Sequence, residues 1–152
     1  MGETAPGRIS IRRAAREDAS AIYRISEASF TDSWREETIL EDLLKDHSLY
    51  LVCLREDRIV GYACYWFVLD EAQLVNVAVL PENRKQGLAK KLLEEGLAEA
   101  RKRHMKTMFL EVRAGNLPAQ ALYRKYGFSV ITLRKAVYEM PREDGYIMKK
   151  SL

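Results

Sequence analysis

Apolar and polar positions alternate briefly around Ile9 and Ile11, and the period then changes. From Arg16 to Phe30, Ala19, Ile22, Tyr23, Ile25 and Ala28 fall roughly on one helical face, so a strand followed by a helix is expected. Ser33 with Glu36 three residues later has the form of a capping box, opening a second, short helix that carries Ile39, Leu40, Leu43 and Leu44. Leu49 to Leu54 and Ile59 to Val68, rich in β-branched and aromatic residues, flank the polar stretch Arg55 to Arg58 and predict a hairpin. Gln73 to Val79, after the turn at Asp70 and Glu71, extends it to an antiparallel meander that Pro81 ends. Leu88, Leu92, Leu93 and Leu97 recur at helical spacing in an amphipathic helix from Leu88 to Arg103, and Thr107 to Val112 is the next strand. Pro118 suits a first helical position, so a short helix is predicted over Ala119 to Lys125, stopped by Gly127. Strands over Phe128 to Leu133 and Tyr146 to Met148, with a polar turn around Arg142 to Gly145, complete an α+β order of β, α, α, β, β, β, α, β, α, β, β.

At 152 residues, 47% hydrophobic and 31% charged, the chain suits one domain with a real core. Residues 1–7 read as a frayed tail and 8–152 as a single domain. No apolar run approaches the roughly 18 residues of a membrane span. The N-terminus lacks a secretory pattern, and Pro6 stands where an N-myristoylation signal wants Ser or Thr. Cys53 and Cys64 lie in apolar alternating runs and read as buried thiols, which fits the cytoplasm. The net charge of +3, from 25 basic and 22 acidic residues, is too balanced for a dedicated nucleic-acid binder but suits a small polyanionic ligand. Neither His47 nor His104 has metal-ligand neighbours, so no metal is expected.

Candidate chemistry begins at Arg84-Lys85-Gln86-Gly87-Leu88-Ala89, where a strand, a loop and a helix N-terminus follow one another. Unpaired N–H groups in a helix's first turn bind phosphate oxygens, and Gly87 with Ala89 provides clearance. No Gly-Lys-Ser/Thr follows, so this is not a P-loop.

With the preceding VNVAV and the downstream LEVRAGNLPAQALYRKYGF (Leu110 to Phe128), the series resembles the GNAT superfamily of N-acetyltransferases. The resemblance runs from Ile9 to Lys149. FTDSW (Phe30 to Trp34), VLDEAQLVNVAV (Val68 to Val79), LEVRAGN (Leu110 to Asn116) and EDGYIM (Glu143 to Met148) bring it nearest to the RimI-type ribosomal-protein alanine N-acetyltransferases. The resemblance implies a GNAT fold: a mixed, mostly antiparallel sheet of about seven strands, splayed between strands four and five, with about four helices on its faces. It implies acetyl-CoA as cosubstrate. Val77, Ala78 and Val79 would offer backbone contacts to pantetheine, and Arg84, Lys85, Gln86, Gly87, Leu88, Ala89 and Lys90 would cradle the pyrophosphate. Asn116 would contact the cosubstrate further along. Trp34 and Tyr138 sit where the family builds its acceptor groove, although many relatives carry two adjacent tyrosines where this chain has Val137-Tyr138.

Acetyl transfer to an amine needs one base and one acid, without a covalent intermediate. Glu111 lies in the apolar stretch FLEV, where an unpaired charge facing the core would be costly, so it faces a wet groove or a partner such as Arg113. The resemblance implies that it is the general base. Tyr123 is the candidate acid, its phenol near pKa 10 facing a thiolate near 8.5, and the backbone N–H around Val77 is a candidate donor to the carbonyl. Acidity favours a peptide α-amine as acceptor, since roughly a tenth of it is neutral at pH 7 against less than about a thousandth of a lysine.

The leading expectation is transfer to the N-terminal amine, alanine, of a ribosomal or other protein. Two alternatives are a small-molecule amine acceptor (a polyamine, amino acid or drug) and an idle acyl-CoA-binding module. Neither direct nucleic-acid recognition nor a membrane partner is expected, because the basic residues from Lys90 to Lys106 are interleaved with acidic ones.

Overall fold

The computed structural model describes residues 7–152, so the expected tail lies outside them except for Gly7. Its elements are β1 (Ile9–Arg13), α1 (Ala19–Ser29), α2 (Glu36–Leu43), β2 (Ser48–Arg55), β3 (Arg58–Val68), β4 (Glu71–Val79), α3 (Leu88–Lys102), β5 (Thr107–Arg113), α4 (Leu117–Lys125), β6 (Ser129–Glu139) and β7 (Arg142–Ser151). The strands form one seven-stranded sheet in the order β1-β2-β3-β4-β5-β7-β6. All neighbours run antiparallel except β4 and β5, which α3 connects as a parallel crossover.

Side-chain alternation sorts the core onto two faces. Leu49, Leu51 and Cys53 of β2 face Leu88, Leu92, Leu93 and Leu97 of α3, while Tyr50, Val52 and Leu54 face Ile22 and Ile25 of α1 and Ile39 of α2. On β5, Met108, Leu110 and Val112 join the α3 and α4 side, which leaves Phe109, Glu111 and Arg113 on the other face.

β4 and β5 pair only from Glu71↔Thr107 to Leu74↔Leu110. On its other side β4 continues along β3 to Val79, but the register jumps from Tyr65↔Leu74 to Cys64↔Asn76, so Val75 is an inserted residue. Such a bulge bends its strand and increases its twist, and here it falls one residue after the last β4–β5 pair. The two strands diverge from that point.

Several boundaries depart from the sequence pattern. The first helix is divided: Asp18 accepts from the Ala15 N–H (2.6 Å) and the Arg12 guanidinium (2.7 Å), and a 3-10 turn at Arg16–Asp18 precedes α1. The Ser33 and Glu36 capping box does not form. Arg35 is the N-cap without a side-chain bond, because the Ser33 hydroxyl is engaged with Ser26 at 2.8 Å, tying the α1–α2 loop back to α1. Helix α4 starts at Leu117, two residues early, because Asn116 caps it by accepting from the Ala119 N–H.

The C-terminal strands are far longer than expected. Residues Arg142 to Gly145 are strand, not turn, and the reversal is at Met140 and Pro141. The polar residues there read as a turn but are occupied within the sheet: Asp144 accepts from the Ala136 N–H (2.8 Å), and Glu143 from the Gly115 N–H (2.6 Å) and Arg113 (3.2 Å).

Gly96 fixes the packing of α3. A Cβ there would lie 1.9 Å from Cζ of Tyr65, a fully buried ring whose hydroxyl donates to the Leu92 carbonyl at 3.0 Å. Alanine would gain about 1 kcal/mol of helix propensity and lose about 1 to 3 kcal/mol to overpacking against a ring with nowhere to move. Gly96→Ala should therefore lower stability by up to about 2 kcal/mol, read as a lower urea midpoint at unchanged slope.

Candidate active site

The divergence of β4 and β5 opens a cavity of about 400 Å³. Its walls include Leu74 to Val77 of β4, Leu110 to Arg113 of β5, Phe30 to Trp34 of the α1–α2 loop, and Asn116, Tyr123 and Tyr138. A second cavity of about 350 Å³ shares Gln73, Leu110 and Glu111 with it and continues past Trp66, Phe109, Arg134 and Ile147.

Glu111 stands where the two cavities meet. Its side chain is 27% exposed, and Oε2 accepts from the Arg134 guanidinium at 3.0 Å. The expected arginine partner, Arg113, is committed elsewhere: it pairs with Glu143 at 3.2 Å, donates to the Met140 and Pro141 carbonyls, and lies 4.2 Å over the Tyr138 ring. Arg134 enters from β6, a strand the sequence pattern ended at Leu133. Being half exposed, it forms an ion pair of low energetic worth that an incoming ligand can displace.

Tyr123 belongs to the α3 and α4 side of the core, packs edge-on against Phe128, and reaches the same cavity from the face opposite Glu111. Burial pushes its phenol up to about 12, so it remains protonated throughout the neutral range. Tyr138 is likewise pushed to about 12, first by burial and then by the Glu111 carboxylate. Tyr126, in contrast, donates to Glu94 at 2.5 Å and takes no part in the cavity.

Gly145 permits the approach of Tyr138 to Glu111. A Cβ there would stand 2.9 Å from Cε2 of Tyr138, 2.9 Å from Val137 and 3.5 Å from Cγ of Glu111. It went unnoticed because a glycine in a polar stretch reads as a turn. Trp66 was also missed as a site residue: it stacks on Trp34 at 6.0 Å between ring centroids, and from sequence it is one aromatic among several on β3.

The phosphate-cradle candidates divide by role. Val77 lines the cavity, Ala78 is buried toward α1, and the Val79 carbonyl accepts from Nε of Arg84 at 2.9 Å. Arg84 also reaches Ser29, so it pins the loop. Gln86 is held by Arg55. Lys85, Gln86, Gly87 and Lys90 are exposed, whereas Leu88 is a core residue that could offer only its backbone. Lys85 and Gly87 both have positive φ (64° and 77°), and Gly87 is the N-cap of α3 with no side-chain cap bond. A Cβ at Gly87 would meet nothing within 4 Å, so glycine is required by the backbone conformation, more than by clearance within the protein. Asn116 lines the cavity while its Oδ1 caps α4.

Comparison with known proteins assigns this architecture. The acetyltransferase (GNAT) family model matches residues 16–128. The chain belongs to the GNAT acetyltransferase family. Among curated relatives, the ribosomal protein bS18-alanine N-acetyltransferase of Haemophilus ducreyi is 38% identical over 135 residues, covering 87% of this chain and 92% of its own. The enzyme of that name from Escherichia coli is 37% identical over 133 residues, covering 86% and 89%. The crystal structure of the Escherichia coli ribosomal-protein-S18-alanine N-acetyltransferase superposes with a TM-score of 0.89 at 34% identity, over 95% of this chain and 94% of that one.

GNAT enzymes take their acetyl group from acetyl-CoA, and this chain fits that cosubstrate on two observations. The β4 edge beyond Leu74 has no strand partner on the β5 side, and the exposed turn at Lys85 to Gly87 leads into an uncapped helix N-terminus. Gly87→Asp places a side chain at positive φ and a negative charge beside the first turn. It should weaken CoA binding at least tenfold by calorimetry with the far-UV circular dichroism unchanged.

Proposed function

We propose that the protein is an acetyl-CoA-dependent N-terminal protein acetyltransferase of the cytoplasm that modifies the α-amine of a ribosomal protein. The favoured acceptor is an N-terminal alanine such as that implied by the names of its relatives. The observation that carries this reading is the placement of Glu111 and Tyr123 on opposite faces of one opening in the sheet. A donor lying along β4 on the α3 and α4 side and an amine entering from the α1–α2 loop side would meet within it.

Acetyl-CoA would supply the activated acetyl group; the roles of the chain's own atoms follow from where they stand. The Val77 to Val79 backbone would hold the pantetheine arm. The N–H groups at the start of α3, with Lys85 and Lys90, would hold the pyrophosphate, while Arg84 and Gln86 support the loop. Glu111, with Oε1 outside its ion pair, would take the proton of the incoming α-ammonium directly or through a water. The N–H near Val77 would donate to the oxygen on which negative charge develops.

Tyr123 would serve as a hydrogen-bond donor to the departing sulfur. With its phenol pushed to about 12 and a thiol near 8.5, outright transfer is uphill by roughly 5 kcal/mol at 1.36 kcal/mol per pH unit. A donor hydrogen bond strengthens as the sulfur gains charge and needs no complete transfer. The proton released by the amine then balances the thiol product.

Two peptides test the reading by mass spectrometry: one with a free N-terminal Ala and no Lys, the other N-terminally blocked with an internal Lys. Acetyl on the first alone is expected. Acetyl on neither, with acetyl-CoA still bound, would overturn the α-amine reading in favour of a small-molecule amine. Glu111→Gln should lower kcat by roughly 100-fold or more while leaving acetyl-CoA affinity within a factor of two, since the carboxylate touches the acceptor side only.

A further inference from the structure

Asp42 is a buried carboxylate on the last turn of α2, and the site described above gives it no role. A charge so placed is costly unless its lone pairs are used, and here each oxygen is occupied. Oδ1 accepts from the Ser48 hydroxyl at 3.0 Å. Oδ2 accepts from the Tyr50 hydroxyl (2.7 Å), the Trp66 indole N–H (3.0 Å) and the Cys64 thiol (3.7 Å). His47 adds its Nε2 at 4.0 Å from Oδ1.

The indole contact links this network to the cavity. Trp66 stacks on Trp34 with an interplanar angle of 22°, and His47 packs edge-on against Trp66 at 6.0 Å. Trp34 lines the main cavity, Trp66 lines its continuation, and both cavities contain Glu111. Within the α1–α2 loop the Trp34 backbone carbonyl accepts from the Ser33 hydroxyl at 3.2 Å, a hydroxyl also engaged with Ser26, and Thr31 bonds the Met140 carbonyl; these bonds hold the loop backbone, and the Trp34 ring rests on its stacking against Trp66. The rigid end of the pair is Trp66, which belongs to a central strand and is anchored by its N–H.

We propose that Asp42 is a positioning residue for acceptor recognition: by fixing the Trp66 ring, and through it Trp34, it preorganises the aromatic wall against which the first residues of the acceptor peptide lie. The inference rests on the α-amine reading above and adds to it which residues form the peptide wall and what holds them. Being preorganised, the wall would contribute to peptide binding without acting on the acetyl donor.

Trp34 and Trp66 are the only two tryptophans in the chain, so intrinsic indole emission reports on this pair alone. Titrating the wild-type protein, with CoA present to prevent turnover, with an Ala-starting peptide lacking Trp and Tyr should give a saturable emission change. CoA alone should give a much smaller one. Asp42→Ala, which orphans the indole N–H, should raise the peptide KM and Kd roughly five- to tenfold, the loss of about one hydrogen bond, with kcat and the acetyl-CoA KM unchanged. Asp42→Asn should restore wild-type values, because the amide oxygen can still accept from Trp66 and Tyr50 while its NH2 donates to Ser48, whose hydroxyl accepts as well.

Trp66→Phe keeps a ring but removes the N–H, and should reproduce the Asp42→Ala peptide KM in a protein whose thermal midpoint is close to wild type. It gives the answer if Asp42→Ala does not fold. The inference is overturned if peptide is acetylated but emission ignores it, or if Trp66→Phe leaves the peptide KM unmoved. It is equally overturned if kcat falls in place of KM, or if Asp42→Asn behaves as Asp42→Ala. Failure of the α-amine reading is a different result: the wild type then forms no product from any peptide.

Discussion

The inserted residue Val75 is the constraint on which the site depends. Two parallel strands joined by a crossover helix would normally pair along their whole length, closing the sheet between β4 and β5. The bulge bends β4 where its pairing with β5 stops, at Leu74↔Leu110, and leaves the backbone from Val75 to Val79 unpaired on that side. Unpaired backbone inside a sheet is expensive unless something else meets it, so the same distortion that costs ladder hydrogen bonds creates a place for an extended ligand. The bulge also resets the alternation. Leu74 faces α3, and beyond the inserted residue Val77 and Val79 again pack toward it while Ala78 packs toward α1.

The other half of the groove is built by the sheet's long C-terminal hairpin. β6 carries two register shifts, and the second, between Arg134 and Tyr138, brings Arg134 beside Glu111 and Tyr138 over Gly145. Arg113 locks this arrangement by stacking on Tyr138, pairing with Glu143 and donating to the carbonyls at the hairpin tip. Thr31 bonds the Met140 carbonyl from the α1–α2 loop, so the two walls on this side of the sheet are joined across the opening. Three segments distant in sequence therefore converge on one side of Glu111.

How much of this was legible varies with the range of the forces involved. The element order and the meander followed from periodicity, because side-chain alternation and helical spacing are local consequences of burial. The strand-loop-helix junction at Arg84 to Lys90 was legible as a motif, although which of its side chains are tied down by the rest of the fold was not. That Arg84 and Gln86 are held by Val79 and Arg55 depends on tertiary contacts. The failures share a cause. Ser33 has the right spacing for a cap but its hydroxyl finds Ser26, and Arg142 to Gly145 has a turn's composition but Glu143 finds Arg113 and the Gly115 N–H while Asp144 finds the Ala136 N–H. Local propensity gave way to long-range hydrogen bonding in both places. The Arg134 partner of Glu111 could not be anticipated once β6 was ended at Leu133.

Sidedness also bears on mechanism. An enzyme whose two substrates must occupy one pocket in turn needs to store the transferred group on a side chain between visits. Here Leu110 and Val112 point to the α3 and α4 side, and Glu111 between them points to the other, so the alternation of a single strand separates the two approaches by the thickness of the sheet. The cavity joins them through the gap that the bulge opens, and no Ser or Cys nucleophile needs to stand between: Cys53 and Cys64 are both buried in the core, with burial raising both thiols. An arrangement open on both faces suits the direct attack proposed above, in which orientation and the two polar side chains at its mouths would carry the main burden of catalysis.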